Sequence, residues 1–301
     1  MAEQHTPEQG HTSSAGHTMA TGDWLDLHFE AARPEYEAMV RAAGFQPGWR
    51  VLDAGCGGGP FLPLLAEIVG PTGRLAALDL APENIAAVEA RLGTWGLPCP
   101  VEARVGSVLS LPYPDASFDA LWCANTAQYL TDDELAGALA EFRRVVRPGG
   151  LVAVKDSDAT MLRFATRNRF LLAHYYEASC RAGVRGGVGG DAPMRGPDLR
   201  AFLARAGLIA ARAQTWQIER AAPHRPIERQ FFASAYRAYG EVAATYDLPE
   251  EDQTEWAWLR EHAEAWVEDP MHYFREGAVL VVGQVPRRTE QHGGRPHNLR
   301  T

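Results

Sequence analysis

The sequence predicts an α/β fold, in which a mostly parallel β-sheet carries helices on both faces. From Arg50 onward, short apolar runs alternate with amphipathic stretches, which is the pattern of strands joined by covering helices. The chain of 301 residues is 46% hydrophobic and 22% charged, so it can bury a sizeable core. Both observations favour one layered domain over a fibrous or disordered chain.

Seven strands and four helices follow from this pattern. The strands are expected at Arg50–Asp53, Arg74–Leu80, Val101–Val105, Phe118–Ala124, Leu151–Lys155, Ala211–Glu219 and Ala278–Val285. The helices are expected at Phe61–Val69, Pro82–Leu92, Asp132–Val146 and Pro197–Ala206. Thr131 and Glu134 form a capping-box pattern at the start of the third helix, and Arg147-Pro-Gly-Gly ends it because proline cannot continue a helix.

The domain boundaries follow from composition. Residues 1–20 and 287–301 are small and polar, which predicts two disordered tails around a domain at 21–286. The layered core is expected at about 35–156, 197–219 and 278–285, and two insertions, at about 157–195 and 220–277, are expected to form a helical cap. Residues 157–277 hold 16 of the 28 aromatic residues, enough to build a pocket wall. However, the helical spacing of Trp256, Leu259, Ala263 and Trp266 favours a packed core for the cap.

Charge and cysteine content exclude several classes of partner. The net charge of -9 would repel nucleic acid, and no apolar stretch is long enough to span a membrane. Without a secretion signal, the expected location is the cytoplasm. The four cysteines have no metal-binding spacing and are expected to be reduced thiols, so no metal site is predicted; they are Cys56, Cys99, Cys123 and Cys180.

The most informative stretch runs from Val51 to Pro60, with the sequence VLDAGCGGGP. A strand that ends in Asp53 enters a glycine-rich turn just before a helix, where backbone N–H groups can approach a ligand. The third glycine of a dinucleotide fingerprint is missing, and no phosphate-binding Gly-Lys-Ser/Thr follows. Asp53 would repel a pyrophosphate but suits a positively charged group.

A second carboxylate, Asp79, ends the next strand about 20 residues beyond the glycines, the position from which an acid binds ribose hydroxyls. Two carboxylates at neighbouring strand ends beside glycines therefore predict a nucleoside ligand with a cationic, amino-acid-like tail.

These residues resemble the class I S-adenosylmethionine-dependent methyltransferases, in particular the small-molecule branch with the ubiquinone and menaquinone enzymes. The stretches that carry the resemblance lie within residues 35–156 and read VLDAGCGGG, LAALDLAP, VGSVLSLPYPDASFD and RVVRPGGLVAV. The resemblance implies a Rossmann-like seven-stranded sheet whose last strand is antiparallel. It also implies S-adenosyl-L-methionine as cofactor.

The resemblance implies a set of cofactor-binding residues, and each takes one part of the cofactor. Asp53, Gly55 and Gly57 would line the methionine portion. Asp79 would hold the ribose hydroxyls, with Leu80 against the adenine. Ser107 stands where the family commonly has an aspartate, so Ser107 and Val108 would serve the edge of the ring. Asn125 and Gln128 would face the reactive methyl group.

The leading hypothesis is methyl transfer to an O, N or C atom of a small, partly apolar metabolite, such as a specialised metabolite or a quinone or lipid-like acceptor. Ala124-Asn-Thr-Ala lacks the motif used on nucleic-acid amines or protein glutamine. Two alternatives stay open: the same cofactor used for decarboxylation or rearrangement, and a non-catalytic cofactor-binding partner. Caps in this family often pair two chains, which makes a homodimer the assembly to test.

Methyl transfer from a sulfonium does not require a general base, so no catalytic residue is assigned. Several side chains in segments that could cover the site are available for such a role. They are His28, Asp156, His174, Tyr175, His272 and Tyr273.

Overall fold

The computed structural model describes residues 22–183 and 191–287. Both predicted tails lie outside these residues, apart from Arg287. Seven strands form one sheet: β1 (Arg50–Ala54), β2 (Arg74–Asp79), β3 (Val101–Val105), β4 (Phe118–Ala124), β5 (Val146–Phe164), β6 (Ile209–Ala221) and β7 (Tyr273–Gln284). Their order across the sheet is β3-β2-β1-β4-β5-β7-β6.

The first five strands are parallel, and β7 pairs antiparallel with both β5 and β6. This is the mostly parallel, seven-stranded sheet with an antiparallel last strand that the sequence predicts. The central parallel strands β1, β2 and β4 are buried on both faces, as expected when helices cover them, whereas the edge strand β3 is more exposed.

The helices of at least five residues in the described part of the chain are α1 (Gly22–Ala43), α2 (Leu62–Val69), α3 (Pro82–Trp95), α4 (Asp132–Val145), α5 (Leu171–Ala182), α6 (Leu199–Arg205), α7 (Pro226–Ala243), α8 (Glu250–Glu261) and α9 (Ala263–Val267). The predicted capping box of α4 is present, with the Glu134 amide donating to Thr131 Oγ1 at 3.2 Å. Helices of the core lie on both faces of the sheet, as shown by two separate apolar clusters that share the strands.

Helix α1 is the main element that the sequence analysis did not predict. Its inner face carries Phe29, Tyr36, Met39 and Val40, all 4% exposed or less, at the three- and four-residue spacing of a helix. The presence of Pro34 within the helix weakens the sequence signal. The helix packs against α2 and α7 and therefore joins the sheet domain to the cap.

Strand β5 extends nine residues beyond the predicted end at Lys155, and β7 begins five residues before Ala278. Asp156 and Asp158 interrupt the apolar run, which is why the pattern predicts an early end. Their backbones instead pair with Val279 and Gly277 of β7, and their carboxylates accept backbone N–H groups. The sheet therefore reaches into both segments expected to be insertions.

The cap helices α5, α7, α8 and α9 enclose an aromatic core of their own. Trp256 and Leu259 are each 1% exposed and Ala263 is fully buried, while Trp266 is half-buried. The helical spacing of these residues therefore marks a packed core, as the sequence indicates.

Candidate functional site

A cleft with about 540 Å³ of empty volume opens at the carboxyl ends of β1, β2 and β4. The strand order reverses between β1 and β4, and ligands of open α/β sheets bind at such a point. The lining residues come from α1, the glycine-rich turn, the ends of β2 and β4, the first turn of α3 and the segment after β4. They are Phe29, Gly55, Cys56, Gly57, Pro60, Phe61, Asp79, Asn84, Ala124, Asn125, Thr126 and Tyr129.

The glycine-rich turn needs glycine for two physical reasons. Gly55 and Gly57 have φ angles of +76° and +53°, in the left-handed region that other residues rarely adopt. A Cβ atom on Gly55 would also overlap the hydroxyl of Thr126, which follows β4. The turn is held against β2 because the amides of Gly55 and Cys56 donate to the Leu78 carbonyl at 2.7 and 3.0 Å.

Asp79 is 2% exposed and organises the floor of the cleft. Its Oδ2 accepts the Gly57 amide at 2.8 Å, and its Oδ1 accepts the Ala81 amide at 2.9 Å and Asn84 Nδ2 at 3.0 Å. A carboxylate has about four acceptor positions, so one stays open on Oδ2. A ligand with two hydroxyls would therefore have to take the place of one of these donors.

Asp53 is 1% exposed, and its Oδ2 has no hydrogen-bond partner within the described residues. Burial, together with the nearby charge of Asp79, raises the pKa of Asp53 to about 8. A buried acceptor without a donor is costly, and a ligand that brings a cation or an N–H group would remove that cost. The residues present thus fit the positively charged nucleoside that the sequence predicts.

Of the nine residues expected to bind the cofactor, the structure brings Gly55, Gly57, Asp79 and Asn125 together on the cleft wall. Asp53 lies within β1, next to this turn in the chain. Gln128 supports the wall, because its Nε2 donates to the Asn125 carbonyl at 3.3 Å.

Leu80, Ser107 and Val108 are half-buried and do not line the cleft. The Ser107 hydroxyl accepts the Leu109 amide at 3.2 Å, so it is used within its own turn. Val108 packs against the apolar cluster on the α4 side of the sheet. Their assignment to the adenine stays a prediction.

The apolar wall of the cleft comes from Phe29, Phe61 and Tyr129, and not from the cap. The ring centroids of Phe29 and Phe61 lie 5.0 Å apart, edge to face. The idea that aromatic residues of 157–277 build the pocket wall is therefore wrong for this cleft, because those side chains pack against one another. Phe29 was not predicted as a site residue because helix α1 was not predicted. Phe61 directly follows the glycine-rich turn, so its place near the cleft could have been found from the sequence.

A polar cluster lies behind the cleft wall, on the α1 side of the sheet. Lys155, at the parallel end of β5, is fully buried and donates from Nζ to Asn125 Oδ1. Tyr36 lies over it, with the Nζ atom 3.9 Å from the ring centroid. The Tyr36 hydroxyl lies 3.0 Å from His28 Nε2, which is 2.8 Å from Glu276 Oε1. Sequence reasoning named His28 but missed the other members, whose positions depend on α1 and β7.

The other candidate acids and bases have different neighbours. Asp156 accepts the Gln128 amide at 2.8 Å, and burial raises its pKa. The remaining four are occupied within the cap and its junction with the sheet: His174 bonds Asp252, Tyr175 lies in the aromatic core, His272 bonds His224, and Tyr273 bonds Glu219.

Metal ligation and membrane insertion are two further functions that the described residues could serve. No group of three or more histidine, cysteine, aspartate or glutamate side chains is placed to hold a metal ion. None of the described helices has the length and apolar character needed to cross a membrane. All four cysteines are free thiols.

Comparison with known proteins connects this cleft to a family. Residues 51–150 match the family described as methyltransferase domain. An uncharacterized protein of a Streptomyces fradiae transposon is 39% identical over 129 residues, which cover 43% of this chain and 36% of that protein. The demethylmenaquinone methyltransferase of Geobacillus kaustophilus is 33% identical over 133 residues, 42% of this chain and 54% of the enzyme.

The solved structures show the same fold. The cyclopropane synthase MmaA2 of Mycobacterium tuberculosis superposes with a TM-score of 0.53 at 15% identity, over 93% of this chain and all of that one. The match to the two relatives above spans about a third to a half of their length. The family match places a methyltransferase domain at residues 51–150, and the sheet order and the glycine-rich turn make this domain similar to the class I S-adenosylmethionine-dependent methyltransferases.

Proposed function

We propose that this protein binds S-adenosyl-L-methionine in the cleft and transfers its methyl group to a small, partly apolar metabolite. The observation that carries the proposal is the buried pair of carboxylates at neighbouring strand ends. Asp53 has an unpartnered oxygen, and Asp79 holds the glycine-rich turn while keeping one acceptor position open. With Asp79 in the cleft and Asp53 in the strand that leads into the glycine-rich turn, the site fits a cation better than a phosphate.

The cofactor supplies an activated methyl group on a positively charged sulfur. The chain's residues would position it and exclude water. Asp53, Gly55 and Gly57 would hold the methionine part, Asp79 the ribose hydroxyls, and Leu80, Ser107 and Val108 the adenine. Asn125 and Gln128 would form the wall beside the methyl group. Phe29, Phe61 and Tyr129 would keep the reacting atoms in an apolar environment.

The acceptor is proposed from the lining of the cleft. The lining combines three aromatic rings with several polar side chains, which suits a molecule with an apolar ring or chain and a few polar groups. The similar enzyme of Geobacillus kaustophilus is a demethylmenaquinone methyltransferase, which supports a quinone-like acceptor. We further propose that the protein works in the cytoplasm with its cysteines reduced, that nucleic acid is not a partner, and that a homodimer is the assembly to test.

The direct test is calorimetric titration of S-adenosylmethionine into the wild type and the Asp79→Ala variant. Loss of the carboxylate removes hydrogen bonds to the ribose, so affinity should fall by about 1–3 kcal/mol, or roughly 5- to 150-fold. Asp115→Ala is the matched control, because it removes one carboxylate that is 79% exposed. Equal affinity of the wild type and Asp79→Ala would show that the ribose binds elsewhere.

A further inference from the structure

Lys155 is the only lysine among the 29 basic Lys and Arg residues of this chain. All 28 other positions are arginine, yet the buried position beside the cleft carries a lysine. The two residues differ chemically: an ammonium is a compact charge that can release its proton when buried, whereas a guanidinium keeps its proton. The choice at this position therefore points to a requirement for the smaller group.

The partners of Lys155 leave its charge without an ion pair. Its Nζ donates to the Asn125 amide oxygen and lies over the face of Tyr36. Within the described residues, no carboxylate oxygen comes within 4.0 Å of Nζ. A buried cation without an adjacent anion is costly, and a bound anion would reduce that cost.

The ammonium also fixes the direction of the Asn125 side chain. Lysine can only donate hydrogen bonds, so the amide oxygen of Asn125 faces Lys155 and its NH₂ group points away. Asn125 lines the cleft and is held at a φ of +55°, a conformation uncommon outside glycine. The Asn125 side chain also hydrogen-bonds the Tyr36 hydroxyl. An amide NH₂ group carries two donors, so one can still serve a ligand at the cleft wall, with the positive charge of Lys155 directly behind it.

Other charged groups around Lys155 modify its charge without neutralising it by contact. Asp156 is the next residue of β5, and its carboxylate accepts two backbone amides. Glu276 of β7 bonds His28 of α1, which also contacts the Tyr36 hydroxyl. Burial lowers the pKa of Lys155 to about 8, and the charges of Asp156 and Glu276 oppose that shift.

We propose that Lys155, acting through Asn125, selects an acceptor with an acidic hydroxyl, a phenol or an enol, and binds it as the oxyanion. This inference rests on the proposed methyl transfer and adds the chemical class of the acceptor. Asn125 touches the oxyanion, and Lys155 is the positioning residue that supplies the charge. On binding, the hydroxyl proton leaves to the solvent and its electron pair stays on oxygen, which makes the acceptor a better nucleophile.

The proposed interaction should shift the pKa of Lys155 and the pKa of the bound phenol, so it can be measured at either group. An anion beside Lys155 favours its ammonium form, so binding raises the pKa of the lysine. By the same interaction energy, Lys155 lowers the pKa of the bound phenol. Because the chain has a single lysine, labelling all lysine with ¹³C at the ε carbon gives one side-chain resonance, which reports this group alone.

The experiment uses the full chain saturated with S-adenosylhomocysteine, and 4-nitrophenol as the probe, whose colour reports its ionisation. 4-Nitroanisole is the control ligand, since it has the same ring without an ionisable hydroxyl. The proteins are the wild type, Lys155→Met, and Arg181→Met. The last removes an exposed cation on α5, which pairs with Glu177 one turn away.

In the wild type and Arg181→Met, 4-nitrophenol should bind as the phenolate at a pH below its solution pKa, and the lysine pKa should rise; 4-nitroanisole should change neither. Lys155→Met should keep its affinity for S-adenosylhomocysteine and bind 4-nitrophenol at least tenfold more weakly. If Lys155→Met does not fold, the wild-type titration with the two ligands decides.

Two results would overturn the inference alone: bound S-adenosylhomocysteine with no ionised 4-nitrophenol, or equal 4-nitrophenol affinity in Lys155→Met. Failure of the wild type to bind S-adenosylhomocysteine would instead overturn the proposed function, and this inference with it.

Discussion

The buried carboxylate of Asp53 lowers the stability of the fold but suits the binding of a cationic ligand. It lies in the middle of the parallel sheet between β2 and β4, where Ala77 and Trp122 are its neighbours across the strands. A carboxylate there is poorly solvated, and burial with the charge of Asp79 raises its pKa to about 8. An apolar or amide side chain would suit the free protein better, so the acid is best explained by a bound cation.

Replacement of Asp53 by asparagine tests this cost. The native state retains a proton that the unfolded chain releases above a pH of about 4, so wild-type stability falls as pH rises from about 4 to 8. Asp53→Asn removes that dependence. Its free energy of unfolding, relative to the wild type, should increase with pH across this range, with a slope that approaches about 1.4 kcal/mol per pH unit. Urea unfolding at pH 5 and pH 8 measures it, and a difference independent of pH would contradict the assignment.

The same residue links cofactor binding to protons. A bound cation favours the ionised form of Asp53, so binding of S-adenosylmethionine near pH 7 should release protons. Calorimetry in buffers of different ionisation enthalpy detects this release. In Asp53→Asn, the released fraction should fall towards zero and the affinity should decrease. Equal proton release in both proteins would assign the protons to another group.

At the scale of elements, α1 is the piece that connects the site to the cap. It contributes Phe29 to the cleft wall, and Tyr36 and His28 to the polar cluster beside Lys155. Its outer neighbour is α7 of the cap. Helix α1 therefore contacts the cleft, the polar cluster and the cap.

The cap is held to the sheet by a buried chain of polar side chains on α7 and the loops beside it. His272 Nδ1 lies 2.7 Å from His224 Nε2. On the other side of the ring, His272 Nε2 lies 2.8 Å from the hydroxyl of Tyr236 on α7. Burial, with a smaller effect from His224, lowers the pKa of His272 to about 3. Burial also lowers the pKa of His224.

Acid should therefore weaken the cap. In the unfolded chain, His272 binds a proton below a pH of about 6.5. In the folded state it stays neutral down to a pH of about 3, so stability is lost as the pH falls through this window. The slope contributed by one such group approaches about 1.4 kcal/mol per pH unit. His272→Gln should show a shallower slope between pH 6.5 and 4 in urea unfolding. His262→Gln, at an exposed position after α8, is the control and should keep the wild-type slope.

At the scale of the whole molecule, the sheet could be predicted because its strands carry strong local signals. The ranges of β3 and β4 agree with the prediction at both ends. The end of β5 could not be predicted, because Asp156 and Asp158 are polar and their burial depends on pairing with β7, more than 100 residues away. Local pattern contains no information about that pairing.

The site divides in the same way. Gly55, Gly57 and Asp79 lie within one motif or at the next strand end, so sequence alone placed them in the cleft. Phe29 and Tyr36 come from a helix whose apolar face is visible only once the cap and sheet are in place, and Lys155 gains meaning only beside them. The site residues that lie far apart in the sequence were therefore the ones that could not be predicted from it.

The most direct measurement is a crystal structure of the protein with S-adenosylhomocysteine. The account predicts the nucleoside in the cleft at the ends of β1, β2 and β4, with its ribose at Asp79 and its amino group nearest Asp53. A ligand bound elsewhere, or a diphosphate in this cleft beside Gly55 and Gly57, would contradict it.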